Sequence, residues 1–202
     1  MKHITRRLVA TFMIVMLLST TALAAIGYFP DVPEGAAYAD AVNALADMGI
    51  LTGDENGKFN PNSTITRAEF ATMMVRLLDE EDRAKTITKS SFTDVPSTHW
   101  ACGYVTVAVE LGLVNGYGDG RYGPSDTLTY EQAVKVLVCM LGYENDALSA
   151  GGWPNGYTQV ANALQLTANT DNLQSANVSR SVVAVLCFNS LSIPPSEWEG
   201  IK

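Results

Sequence analysis

Phe29-Pro30-Asp31-Val32-Pro33 returns 63 residues later as Phe92-Thr93-Asp94-Val95-Pro96, and this recurrence decides how the chain is read. Three more blocks repeat in the same order at the same offset. Gly49-Ile50-Leu51 becomes Gly112-Leu113-Val114, and Gly57-Lys58-Phe59-Asn60-Pro61 becomes Gly120-Arg121-Tyr122-Gly123-Pro124. Ile65-Thr66-Arg67-Ala68-Glu69 becomes Leu128-Thr129-Tyr130-Glu131-Gln132. Four blocks at one spacing are the signature of an internal repeat. A weaker third copy follows: Trp153, Tyr157, Ala161 and Leu164 stand where Trp100, Tyr104, Ala108 and Leu111 do. Val178-Ser179-Arg180 then matches Ile65-Thr66-Arg67, with the intervening loop three residues shorter and without its Gly-Asp-Gly.

Each copy reads as helix, loop, helix. The first helix is expected roughly over Ala36 to Met48 in copy one, with Val42, Leu45 and Met48 on one face; Val105, Ala108 and Leu111 form the same face in copy two. Gly49 and Gly112 follow these stripes where a helix end favours a left-handed residue. The second helix opens with a capping box, Thr66 with Glu69 and Thr129 with Gln132. Ser179 can cap copy three, but Val182 cannot close the box. Apolar stripes follow: Phe70, Met73, Met74, Leu77, Leu78; Ala133, Val136, Leu137, Met140, Leu141; and Val183, Leu186, Cys187, Leu191. One helix pair cannot bury such stripes alone, whereas three pairs can share a core. The expected fold is mainly α, with three repeats at 25–82, 90–142 and 143–195 in pseudo-threefold array and a tail at 196–202. Asp79–Ser90 and Gly142–Gly152 read as linkers.

The N-terminus reads differently. Lys2, Arg6 and Arg7 precede an apolar run from Leu8 to Leu18, and Ala22-Leu23-Ala24 offers a cleavage site. This is the layout of a secretory signal peptide over residues 1–24; the apolar run is too short for a span of about 20 residues. The chain carries 13 Lys and Arg against 21 Asp and Glu, a net charge of −8. Removing residues 1–24 takes away three bases and no acids, leaving −11. That balance argues against nucleic acid and against a basic membrane-binding surface. The three cysteines, Cys102, Cys139 and Cys187, fit no metal or redox spacing and read as small core residues. With His3 in the leader, His99 is the one histidine left for a catalytic site. No pair of acids stands out for cutting a glycan. The chain is read as a non-enzyme without cofactor or metal.

The order Phe-x-Asp-Val, His99-Trp100-Ala101, Gly116-Tyr117-Gly118-Asp119-Gly120 and Thr66-Arg67-Ala68-Glu69 resembles the S-layer homology family. The resemblance implies a pseudo-trimer around a central helical bundle. It also implies grooves between neighbouring repeats that hold secondary cell-wall polymers, including ones with pyruvate ketals on an amino sugar. It implies that Thr-Arg-Ala-Glu lines a groove, and a secreted, cell-wall or cell-surface location follows. A ketal carboxylate suits the planar fork of arginine. Arg67 and Arg180 share one repeat position in the first turn of a helix, where free N–H groups and the dipole would also favour an anion. Trp100 and Trp153 are candidate sugar platforms, and Thr66, Glu69, Asp94 and Asp119 complete the candidate ligand set. For Asp94 a turn role competes with ligand binding. Tyr130 stands where the family has arginine, so one or two anion-binding grooves are expected rather than three. Two alternatives stay open: a surface-layer assembly protein, and the wall tether of an enzyme whose catalytic part lies outside this chain.

Overall fold

The computed structural model describes residues 28–170 and 177–196. The expected signal peptide at 1–24 and nearly all of the 196–202 tail lie outside the described residues. Eight helices occur among these residues: α1 Ala39–Asp47, α2 Arg67–Leu77, α3 Glu81–Thr86, α4 Cys102–Glu110, α5 Tyr130–Met140, α6 Glu144–Ser149, α7 Asn155–Ala163 and α8 Arg180–Ser190. They contain no named strand, only the isolated bridges Thr64–Ser179 and Thr66–Thr127.

The three long helices α2, α5 and α8 open as their sequences require. Thr66 Oγ1 and Glu69 form a complete capping box, as do Thr129 and Gln132. The Ser179 side chain accepts the Val182 N–H without a reciprocal bond. The burial of α2 exceeds the expected stripe, because Ala68, Ala71, Thr72 and Val75 are buried beside Phe70, Met73, Met74 and Leu77. α8 is likewise buried from Ser181 to Cys187. Helices buried on all sides belong at the centre of a domain. The outer helices bury one side; in α1 this is Ala39, Ala41, Val42 and Leu45. Met48, expected on that face, is 38% exposed because it lies past the last helical turn.

The packing is cyclic. α2 packs on α4, α5 on α7, and α8 returns to α1, so each central helix supports the outer helix of the next copy. The axis carries a closed ring of backbone bonds at one repeat position. Ile65 N–H donates to Val178 O at 3.2 Å, Val178 N–H to Leu128 O at 2.8 Å, and Leu128 N–H to Ile65 O at 3.2 Å. Each of these backbones thereby finds a partner without a sheet.

The two segments read as linkers contain α3 and α6. Each is only six residues long, below the length at which a helix persists alone. Tertiary burial of Ala84 and Ala147 holds them, with acids in the first turn of both and bases in the last turn of α3. Cys102 and Cys187 are buried in the core, and Cys139 is half-buried; all three are free thiols.

Candidate functional site: two interhelical grooves

Residue Arg67 is the first residue of α2, and its side chain reaches across to the second copy. Nε donates to Tyr122 O at 3.0 Å and Nη2 to Asn115 O at 2.7 Å. The guanidinium lies 4.6 Å from the Tyr122 ring centre and 5.0 Å from that of Tyr117. Tyr122 is fully buried, and its hydroxyl donates back to Arg67 O at 3.1 Å. Burial pushes its phenol up to about 12, so it stays a neutral donor near neutral pH. The arginine is thus fixed before any ligand arrives.

Arg180 repeats this arrangement on the first turn of α8. Nε donates to Phe59 O at 2.8 Å, Nη2 to Thr52 O at 3.4 Å, and the guanidinium stands 5.1 Å from the Phe59 ring centre. Nη1 also pairs with Glu69 Oε1 at 3.3 Å.

The walls come from all three copies. Arg180 lies in a cleft of about 530 Å³ with Thr52, Glu69, Thr72, Arg76 and, from copy two, Trp100. Arg67 lies in one of about 360 Å³ with Phe70, Asn115, Gln132, Lys135 and, from copy three, Trp153. Trp100 is 60% exposed and Trp153 51%, so both keep much of the indole open to solvent, unlike core tryptophans. At the third equivalent position Tyr130 replaces arginine, with its hydroxyl 3.5 Å from Thr170 Oγ1.

The structure gives some of the expected residues structural bonds of their own. Thr66-Arg67-Ala68-Glu69 does not line one groove. Successive helical positions turn by about 100°, so the first and third residues of α2 point to opposite sides; Arg67 enters one groove and Glu69 the other. Thr66 is a cap, donating to Glu69 Oε2 at 2.8 Å and accepting the Glu69 N–H. The helix starts also present fewer free N–H groups than expected. Arg67 N–H donates to Asp126 O and Ala68 N–H to Pro124 O, at 2.8 and 3.1 Å. Arg180 N–H and Ser181 N–H donate to Ser63 O and Pro61 O at 2.9 and 3.0 Å. The neighbouring loop occupies the anion position at both helix starts, so any anion there depends on side chains.

Asp94 has the turn role. Its carboxylate accepts Tyr122 N–H at 2.9 Å and Gly123 N–H at 2.8 Å. Burial opposes its ionisation, but these bonds outweigh burial and hold the carboxyl below its usual value. Asp31 grips Phe59 N–H and Asn60 N–H in the same way, at 2.8 and 2.7 Å. Each aspartate therefore fixes the residue whose carbonyl holds the groove arginine, which makes it a positioning residue. Asp119 engages Arg121 through its backbone N–H at 3.0 Å and Nη2 at 2.8 Å. Sequence reasoning missed Arg76, Asn115, Gln132 and Lys135. The repeat offset could have found Gln132, which it pairs with the candidate Glu69; it pairs Asn115, Lys135 and Arg76 with Thr52, Thr72 and Cys139, which carried no signal of their own.

A family model described as "S-layer homology domain" matches residues 28–71 and 91–134. The chain is 34% identical over 188 residues to a "Cell surface protein" of Thermoanaerobacter kivui, covering 92% of this chain and 24% of that protein. It is 35% identical over 152 residues to a "Surface layer protein" of Brevibacillus choshinensis, covering 75% of this chain and 13% of the relative. An "Exoglucanase XynX" of Acetivibrio thermocellus is 32% identical over 139 residues, which is 67% of this chain and 13% of that protein. The chain thus spans a quarter or less of these relatives. Two matched segments, built on one plan and each supplying a wall of a groove, make this chain a member of the S-layer homology family.

Proposed function

We propose that this chain anchors non-covalently to the bacterial cell wall, at the cell surface, by holding a secondary wall polymer in the Arg67 and Arg180 grooves. Family membership supports the coarser role of a non-catalytic wall-binding module. The finer reading rests on one observation: two equivalent arginines, each fixed by backbone carbonyls of the neighbouring copy, each share a cleft with a half-exposed tryptophan. A pre-oriented guanidinium donates to sugar oxygens, most strongly to an anionic substituent, and an indole face packs on a pyranose ring. A carboxylate such as a pyruvate ketal on an amino sugar has the charge and shape this requires.

Co-sedimentation with purified wall sacculi tests the reading. The chain is expected to sediment with sacculi that keep their secondary polymer and to stay in solution with acid-stripped ones. Arg67→Ala and Arg180→Ala should each reduce binding while thermal melts report their folding. Equal binding to both preparations would redirect the role to peptidoglycan itself. The relatives named as a surface layer protein and an exoglucanase favour a companion reading, in which the same grooves tether a larger surface protein or enzyme.

A further inference from the structure

The two grooves share a plan but not a charge balance. The Arg180 groove is lined by two cations, Arg180 and Arg76, and two carboxylates, Glu69 and Asp54. Arg180 pairs with Glu69 at 3.3 Å, and Arg76 pairs with Glu81 at 2.9 Å. The Arg67 groove is lined by two cations, Arg67 and Lys135, and by no carboxylate. Neither takes part in an ion pair recorded among the described residues. Two acids on the surrounding segments are held by tyrosines: Tyr117 hydroxyl donates to Asp126 at 2.7 Å and Tyr157 hydroxyl to Glu144 at 3.3 Å.

Differences at four repeat positions create this contrast, and at the first of them Tyr117 stands where Asp54 does. Gln132 stands where Glu69 does and still closes the capping box, Thr129 N–H donating to its Oε1 at 3.0 Å. The cap therefore does not need the charge. Lys135 stands where buried Thr72 returns its hydroxyl to Ala68 O at 2.9 Å. Cys139 stands where Arg76 does. The second cation's position thus lies one helical turn, about 6 Å, nearer the start of its helix. Lys135 Nζ lies 5.8 Å from the Trp153 ring centre and 5.3 Å from that of Tyr157, at the wall where a sugar would stack. On a chain with net charge −8, two cations without an ion-pair partner among the described residues, in one cleft, favour an anion there.

The geometry points to a division of labour. The Arg67 groove takes a sugar unit bearing an anionic group, carboxylate or phosphate, with Lys135 as its second anchor and Trp153 as its platform. The Arg180 groove, neutralised from within, takes an uncharged sugar unit. This rests on the proposed glycan-binding role and assigns specificity within it.

The test reads each groove separately. In 15N-labelled protein the indole N–H resonances of Trp100 and Trp153 are assigned with single Trp→Phe variants. Methyl glucuronide, glucose 6-phosphate and uncharged methyl glucoside are then titrated. One or both acids are expected to shift Trp153 more tightly than the neutral sugar does, while leaving Trp100 unmoved. Which acid succeeds identifies the anionic group. Lys135→Met should weaken the Trp153 response about fivefold, and added salt should weaken it further. Glu69→Gln, which copies the cap of copy two, should let the acids shift Trp100. Acids that move both indoles alike or neither, or a Lys135→Met variant of unchanged affinity, would overturn the assignment. Sacculus binding by the wild-type chain, run in parallel, separates the two ideas. If it persists while the indole pattern fails, the anchoring role stands and the division falls. If it is lost as well, both fall.

Discussion

Glu81 lies at the end of a short polar relay behind the Arg180 groove. It accepts the Tyr104 hydroxyl at 2.7 Å and pairs with Arg76 Nε at 2.9 Å. The tyrosine bond, helped by Arg76 and Lys85 and opposed by burial, lowers its carboxyl from 4.5 to about 2. A depressed folded-state value means stability that is fully present above the unfolded value and lost as the carboxylate protonates. Glu81→Gln should therefore lower Tm by a constant amount above about pH 5. The gap from wild type should then narrow between pH 4.5 and 2. Thermal melts across that range check this; a gap independent of pH would show that the charge is not what stabilises. At this scale the capping residues and the two groove arginines were legible, because their signals lie within a few residues of one another. Their partners were not: Arg180 meets Phe59 across 121 residues of sequence, and no local pattern encodes such a contact. The tryptophans were legible as candidate platforms from the resemblance, against the general rule for aromatic residues. Aromatic residues usually signal core, and the fold instead lines one groove with Trp100 and the other with Trp153.

Among the elements, the short helices α3 and α6 depend on glycine. A Cβ on Gly103 would stand 1.9 Å from Ala84 O, and one on Gly156 would stand 2.1 Å from Ala147 O. Glycine at these matching positions of α4 and α7 lets the preceding short helix approach to backbone contact. Gly103→Ala must push α3 away, an overpacking cost that outweighs the roughly 1 kcal/mol of helix propensity gained. A net loss of about 1–2 kcal/mol is expected in urea titration; an unchanged midpoint would mean that α3 moves freely. The first copy has exposed Asp40 at this position. Outer-helix ends give the opposite prediction. Gly49 and Gly112 each end a helix at φ 72°, whereas the third copy puts Gln165 there at φ 59°. A side chain in the left-handed region costs about 1 kcal/mol, so Gln165→Gly should stabilise by about that much. Denaturant midpoints measure it, and a loss of stability would show that the Gln165 bond to Asn162 O matters more than the strain. The helix ends were readable from glycine in two copies. The short helices were not, because six charged or small residues carry no periodic stripe and acquire their helicity from the neighbour they touch.

Across the whole molecule, each copy completes the next. The Ile65–Val178–Leu128 ring closes only when all three copies are present. The buried face of α1, with Val42 and Leu45, packs against α8 from the far end of the described chain. Both family-matched segments lie before residue 135, so a piece ending at Gly142 would contain them entirely. Were each copy a self-sufficient unit, that piece would fold. The packing predicts otherwise, because it loses α7 from the face of α5, α8 from the face of α1, and two of the three ring bonds. Repeats of this size draw their stability from shared interfaces. The truncated chain should therefore show no cooperative thermal transition by circular dichroism, and its near-UV aromatic signal should collapse. A sharp transition would show instead that the first two copies carry the core by themselves. The same cut removes Arg180 from one groove and Trp153 from the other. Adding the missing piece back as a separate peptide, residues 143–202, separates the two losses. If the ring is the organising contact, the mixture should regain both the transition and the binding, because each groove is assembled from three copies and none is complete without the third.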